Sequence, residues 1–209
     1  MTLVWYAAYG SNMHADRLRH YLRGGTPPGG LRTYPGCRDP ADPRATAPVM
    51  LPGGIWFTGE SAAWTGGYAL YDPLLPGAAA ARAYLLTAGQ FADLVAQEMY
   101  RPPGADLADL GEVVRTGRLT LGPGRYETLV YAGARSGHPM LTFTAGFGRA
   151  DGEPARPAPA YLGMLARGLH ESHHWDATQI TTYLLGRPGV TGAWDPADLA
   201  GVVAAALPA

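Results

Sequence analysis

Between residues 49 and 86 the chain is cut at short intervals by turn-forming pairs: Pro52-Gly53, Gly53-Gly54, Gly66-Gly67 and Asp72-Pro73. Pro fixes φ and removes a backbone donor, and Gly reaches the left-handed region, so each pair stops a regular element. The apolar stretches left between them, 49–51, 55–58, 67–71 and 81–86, are short and read as strands. Residues 3–9 are apolar, rich in aromatic and β-branched side chains, and end at Gly10, the pattern of a buried strand. Further strands are expected at 112–116, 119–121, 127–132 and 140–144.

Helices are expected on either side of this β-rich middle. Residues 13–22 carry Leu18, Tyr21 and Leu22 on one face, with Ser11 or Asn12 as the N-cap. Residues 87–100 open on Thr87-x-x-Gln90, a capping-box pattern, and close on Arg101-Pro102-Pro103-Gly104. Residues 160–173 and 176–185 follow, the second opened by Asp176-x-x-Gln179 and ended by Gly186-Arg187-Pro188, with one more short helix at 197–206. The Gly-, Pro-, Arg- and Asp-rich segment 24–48 reads as a long ordered loop or short extended pieces rather than regular structure. Short strands in the middle with helices clustered later predict a mixed α+β fold: a small twisted or barrel-like sheet with helices outside it.

A length of 209 residues suits one domain, 1–209, and no linker divides it. Cys37 is the one cysteine, which excludes an intramolecular disulfide and a Cys-based zinc cluster and fits a reducing, cytoplasmic compartment. The N-terminus lacks a basic region followed by a long apolar run, so no secretion signal is expected, and no apolar run approaches the ~18 residues of a membrane span. Net charge is −1, and the 16 basic residues are all Arg, dispersed along the chain. That leaves no electrostatic footprint for nucleic acid. The expected partner is a small molecule, with neither nucleic acid nor membrane involved.

Chemistry concentrates in two places. Counting i, i+3, i+4, i+7 along 87–100 from Phe91, the apolar stripe that includes Leu94 and Val95 lands on Glu98. A carboxylate on an apolar face is rarely buried without a partner or a function, and desolvation moves it toward the range of a general base. The competing reading is a Glu on the last helical turn, in water or paired with Arg101 or Arg82. The second place is the turn Tyr9-Gly10-Ser11-Asn12-Met13, where a strand feeds into a helix whose first amides lack intrahelical partners. Such an end favours an anion by ~0.3–1 kcal/mol, though the same residues also make ordinary capped turns.

Ala7-Ala8-Tyr9-Gly10-Ser11-Asn12-Met13 resembles the signature of the gamma-glutamylcyclotransferase-like family, and the order of elements over residues 4–185 is similar to it. The resemblance implies that Tyr9, Gly10, Ser11, Asn12 and Met13 receive the glutamyl part of a substrate. It also implies that Glu98, in Gln97-Glu98, is the general acid and base, and that Tyr161 lines the pocket; Tyr161 reads equally as a core aromatic. The implied reaction cyclises a γ-glutamyl amide to 5-oxoproline without metal or organic cofactor. Residues 101–111 depart from the family pattern as an insertion, and residues from about 186 form a C-terminal extension.

Other motifs compete. His170-Glu171-Ser172-His173-His174 matches H-E-x-x-H, in which two His one helical turn apart bind zinc and the Glu acts as base. No Glu follows Glu171 to serve as third ligand, Ala177 and Ile180 occupy the Gly and His positions of the longer signature, and Asp176 reads as an N-cap that interrupts the helix. Ser11 with His14 lacks a G-x-S-x-G and a third member. The paired glycines match neither a P-loop nor a dinucleotide fingerprint. A cyclising enzyme thus stands against a non-catalytic ligand-binding protein of the same fold and a zinc hydrolase built on His170 and His174.

Overall fold

The computed structural model describes residues 2–27, 32–61, 63–104 and 110–208. In chain order its elements are β1 (Leu3–Ala8), α1 (Ala15–Arg23), β2 (Thr46–Pro52), β3 (Gly54–Thr58), β4 (Tyr68–Asp72), β5 (Ala78–Thr87), α2 (Ala88–Glu98), α3 (Leu110–Thr116), β6 (Arg118–Thr120), β7 (Thr128–Arg135), β8 (His138–Thr144), α4 (Pro159–His173), α5 (Ala177–Leu185) and α6 (Pro196–Ala206). Two compact units share the chain: Met1–Ala8, Asp16–Val49 and Arg82–Gly146 in one, Tyr9–Ala15, Met50–Ala81 and Phe147–Ala209 in the other.

The first unit is built on a six-stranded sheet of order β2-β5-β1-β8-β7-β6. β1 pairs antiparallel with β5, Leu3 opposite Thr87 and Ala8 opposite Arg82, and parallel with β8, Trp5 opposite Met140. Both of its faces are buried, Trp5 and Ala7 on one as well as Val4, Tyr6 and Ala8 on the other, which is why it reads as a continuous apolar run. Its alternation still decides direction: Val4, Tyr6 and Ala8 join one core with Leu18, Tyr21, Tyr84, Phe91, Leu94, Val113 and Phe143. Tyr6 stacks on Phe143 at 5.1 Å between ring centroids. Each fully buried side chain of this size stabilises the unit by roughly 1.5–3 kcal/mol. α2 presents Phe91, Leu94 and Val95 to this core, and its start is the expected capping box, Thr87 Oγ1 accepting from Gln90 N–H at 3.1 Å and Gln90 Oε1 from Thr87 N–H at 3.0 Å.

The second unit pairs β3 with β4 antiparallel, from Gly54 opposite Asp72 to Thr58 opposite Tyr68. α4, α5 and α6 bury Leu165, Leu169, Ile180, Leu184 and Leu199 completely. α5 starts on its own capping box, Asp176 with Gln179, as its sequence signal predicts.

Mixed α+β architecture is as expected, but three details differ. Six of the described strands form a sheet that is not closed, with β2 and β6 at its ends, where a barrel-like form was expected. Residues 112–116, expected as a strand, lie in α3: Leu110 and Val113, one helical turn apart, both reach the core while Val114 faces out. Gly117 at φ +81° then ends that helix, its N–H bonding to Val113 O. The helix expected from residue 13 starts at Ala15, and Ser11–Met13 forms a 3-10 turn capped by Gly10 rather than by Ser11 or Asn12. Of the insertion at 101–111, residues 105–109 lie outside the described residues. The extension from about 186 includes α6, whose Leu199 and Val203 are buried. No helix among the described residues is long and apolar enough to cross a membrane.

Candidate functional site

Tyr9, Gly10, Ser11, Asn12, Met13 and Tyr161 come together in the second unit. Tyr9 is buried with its ring 5.8 Å from that of Tyr71, and Asn12 and Met13 are buried behind the turn. Met13 N–H bonds to Gly10 O and His14 N–H to Ser11 O, bonds that engage neither the Gly10 nor the Ser11 amide. Gly10 has extended backbone, so its value is space: a Cβ there would stand 3.3 Å from Tyr161 Oη. Tyr161 itself is buried, stacks on Trp64 at 5.7 Å, meets Phe57 edge-on, and accepts a 3.3 Å hydrogen bond from Ala69 N–H. It is thus a core aromatic and a neighbour of the turn at once.

Glu98 belongs to the first unit, where it is the last residue of α2 and half-buried. Gln97 beside it is fully buried, its Nε2 donating to Tyr21 O at 3.0 Å and Asp93 O at 3.3 Å. Arg17 and Tyr21, four residues apart on α1, both feel the Glu98 charge. Burial opposes the Arg17 charge, yet Tyr21, Tyr34 and Glu98 together hold its pKa above the ordinary value. Burial, then Glu98, pushes the Tyr21 phenol well above its usual range, so it stays protonated. The Arg17 guanidinium lies 4.7 Å from the Tyr34 ring centroid and donates to Tyr34 Oη. Arg101, one of the two arginines that the competing reading pairs with Glu98, forms an ion pair with Glu127. Tyr100 follows in a left-handed conformation, φ +59°, with Arg32 4.0 Å from its ring centroid.

No family model matches the chain. Histone deacetylase 5 of Arabidopsis thaliana is 32% identical to it over 198 residues, a stretch that covers 87% of this chain. The chain spans 30% of that protein's length. Among solved structures, one titled gamma-glutamyl cyclotransferase matches 97% of this chain and 99% of its own, with TM-score 0.52 and 15% identity. The chain has the gamma-glutamyl cyclotransferase fold. A crystal structure of an uncharacterised protein from Homo sapiens shares it, with TM-score 0.52 and 16% identity over 98% of this chain.

The histidine-rich end of α4 is tied by hydrogen bonds within the second unit. His174 is the C-cap of α4, left-handed at φ 58°, and its N–H bonds to His170 O at 2.9 Å. His170 Nδ1 donates to Trp175 O at 2.9 Å, and Glu171 accepts from Ala15 N–H at 3.1 Å. Among the described residues no group of three His, Cys, Asp or Glu is placed to hold a metal. Sequence reasoning passed over Arg17, although an Arg and a Tyr four apart on a predicted helix are a readable cation–π pair. It also passed over Gly168 of α4, where a Cβ would stand 2.5 Å from Met13 Cβ.

Proposed function

We propose that residues 1–209 form a cyclotransferase that converts a γ-glutamyl amide to 5-oxoproline and a free amine. The observation that carries the reading is the match of nearly the whole chain to the fold of a solved gamma-glutamyl cyclotransferase, together with Tyr9-Gly10-Ser11-Asn12 after the first strand. The substrate's own α-amine attacks its γ-carbonyl, the C–N bond to the leaving amine breaks, and a five-membered lactam closes. Both reacting groups share one molecule, so holding the glutamyl chain folded lowers the barrier, by up to ~7–11 kcal/mol where alignment is complete.

An ammonium does not attack a carbonyl, so a base first removes its proton and an acid later protonates the leaving nitrogen. Glu98 fills both roles in this reading. Its attraction to Arg17 is greatest with the carboxylate ionised, the form that accepts a proton. The amides of Gly10 and Ser11, unused by the bonds within the turn, serve the substrate carboxylate or the developing oxyanion. No step calls on a metal or cofactor. The test is release of 5-oxoproline with equimolar amine from a panel of γ-glutamyl amides in the presence of EDTA. Binding of these amides without release favours a ligand-binding protein, and release abolished by EDTA favours a metal-dependent enzyme; either result overturns the proposal.

A further inference from the structure

We propose that α4 is a positioning element for the turn at residues 9–13, and that Glu171 is its key positioning residue. Contacts follow in order along one face of the helix. Tyr161 Oη lies beside Gly10, Gly168 lies against Met13 and His14, and Glu171 Oε2 accepts from Ala15 N–H at 3.1 Å. Steps of seven and three residues return to the same side of an α-helix, so one face of α4 meets the turn at its start, middle and end.

Two of these contacts are independent kinds of restraint. At Gly168 the backbones approach so closely that a Cβ would lie 2.9 Å from His14 N and 3.0 Å from Met13 C. At Glu171 a carboxylate meets the first amide of α1, an end that otherwise attracts any anion. His14 Nε2 also lies 4.0 Å from Glu171 Oε2. With its far end held by Glu171, the turn keeps Gly10 and Ser11 in one arrangement, and a preorganised donor pair binds without the cost of ordering it. The Glu that matched a zinc-hydrolase motif is therefore assigned to holding backbone.

The proposal rests on reading residues 9–13 as the glutamyl-holding turn, and its test separates the two. Amide hydrogen exchange at residues 10–15 is measured by NMR in wild type, Glu171→Gln and Glu171→Ala, beside KM and kcat on γ-glutamylalanine. Gln keeps an acceptor for Ala15 N–H, so Glu171→Gln exchanges at the wild-type rate within about twofold. Glu171→Ala exchanges at least about tenfold faster across the turn, and its KM rises more than its kcat falls, because Glu98 is untouched. Wild-type exchange in Glu171→Ala overturns the proposal, as does faster exchange with unchanged KM, the outcome of a merely structural cap. If wild type does not turn the substrate over, the functional reading fails on this substrate, and the exchange rates alone decide whether Glu171 holds the turn.

Discussion

Gly168→Ala and Gly201→Ala make the same chemical change in two helices and should have opposite effects. Replacing Gly by Ala in a helix interior gains about 1 kcal/mol in propensity. At Gly201, exposed on α6, the new Cβ meets nothing within 4 Å, so that gain is kept. At Gly168, buried on α4, it would meet Met13 Cβ at 2.5 Å, against an ordinary carbon–carbon contact of about 3.5–4.0 Å. The neighbours are a Cβ and backbone atoms, which no rotamer change removes, so turn and helix must separate by about an ångström. Fully buried Leu165 and Leu169 oppose any shift of α4. Overpacking of this kind costs about 1–3 kcal/mol, and the upper end applies where both sides are fixed. Net destabilisation is then about 2 kcal/mol, which in a chain of this size lowers Tm by about 4–8 °C, whereas Gly201→Ala raises it by about 2–4 °C. Calorimetry of both variants checks this. Equal stabilisation by the two substitutions would refute the close packing of α4 on the turn.

Two further outcomes follow from buried titratable groups. Burial and the Asp93 charge push the Cys37 thiol up to about 12 from an ordinary 9.0, so at pH 8 native protein should react with iodoacetamide on the order of a thousandfold more slowly than denatured protein. Comparable rates would contradict that placement. Burial lowers the His173 pKa below 6.5, so as pH falls through that value the unfolded chain takes a proton that the folded one refuses, and stability drops. Tm should decline from pH 7.5 to 5.5, and less steeply in His173→Gln; identical slopes would assign the decline to other groups.

Elements whose boundaries rest on local chemistry were legible. Thr87 with Gln90 and Asp176 with Gln179 close their capping boxes within four residues, so α2 and α5 begin where the motifs predict. The Pro and Gly pairs likewise delimit β2, β3 and β4. Residues 110–116 were not legible, because Val113-Val114 carries strand propensity locally while the burial of Leu110 and Val113 together depends on a core assembled from distant elements. Sheet closure depends on pairings that no local window contains. The motif at residues 9–13 follows β1 as its place in the chain suggests, whereas helix phase puts Glu98 on the apolar stripe and the structure gives the fully buried position to Gln97, because the last turn of α2 leaves Glu98 half-buried. Glu171 illustrates the limit: its neighbours spell a metal motif, yet its carboxylate bonds to an amide 156 residues away.

In the proposed reaction Glu98 moves the proton during a cyclising cleavage. Glu98→Gln keeps the side chain's shape and removes its proton exchange, so it isolates that role from packing. Release of 5-oxoproline from an accepted γ-glutamyl amide should fall by about 10²–10⁴-fold in this variant, with thermal unfolding run alongside to show that the fold is kept. Wild-type turnover by Glu98→Gln on any accepted substrate would contradict the account.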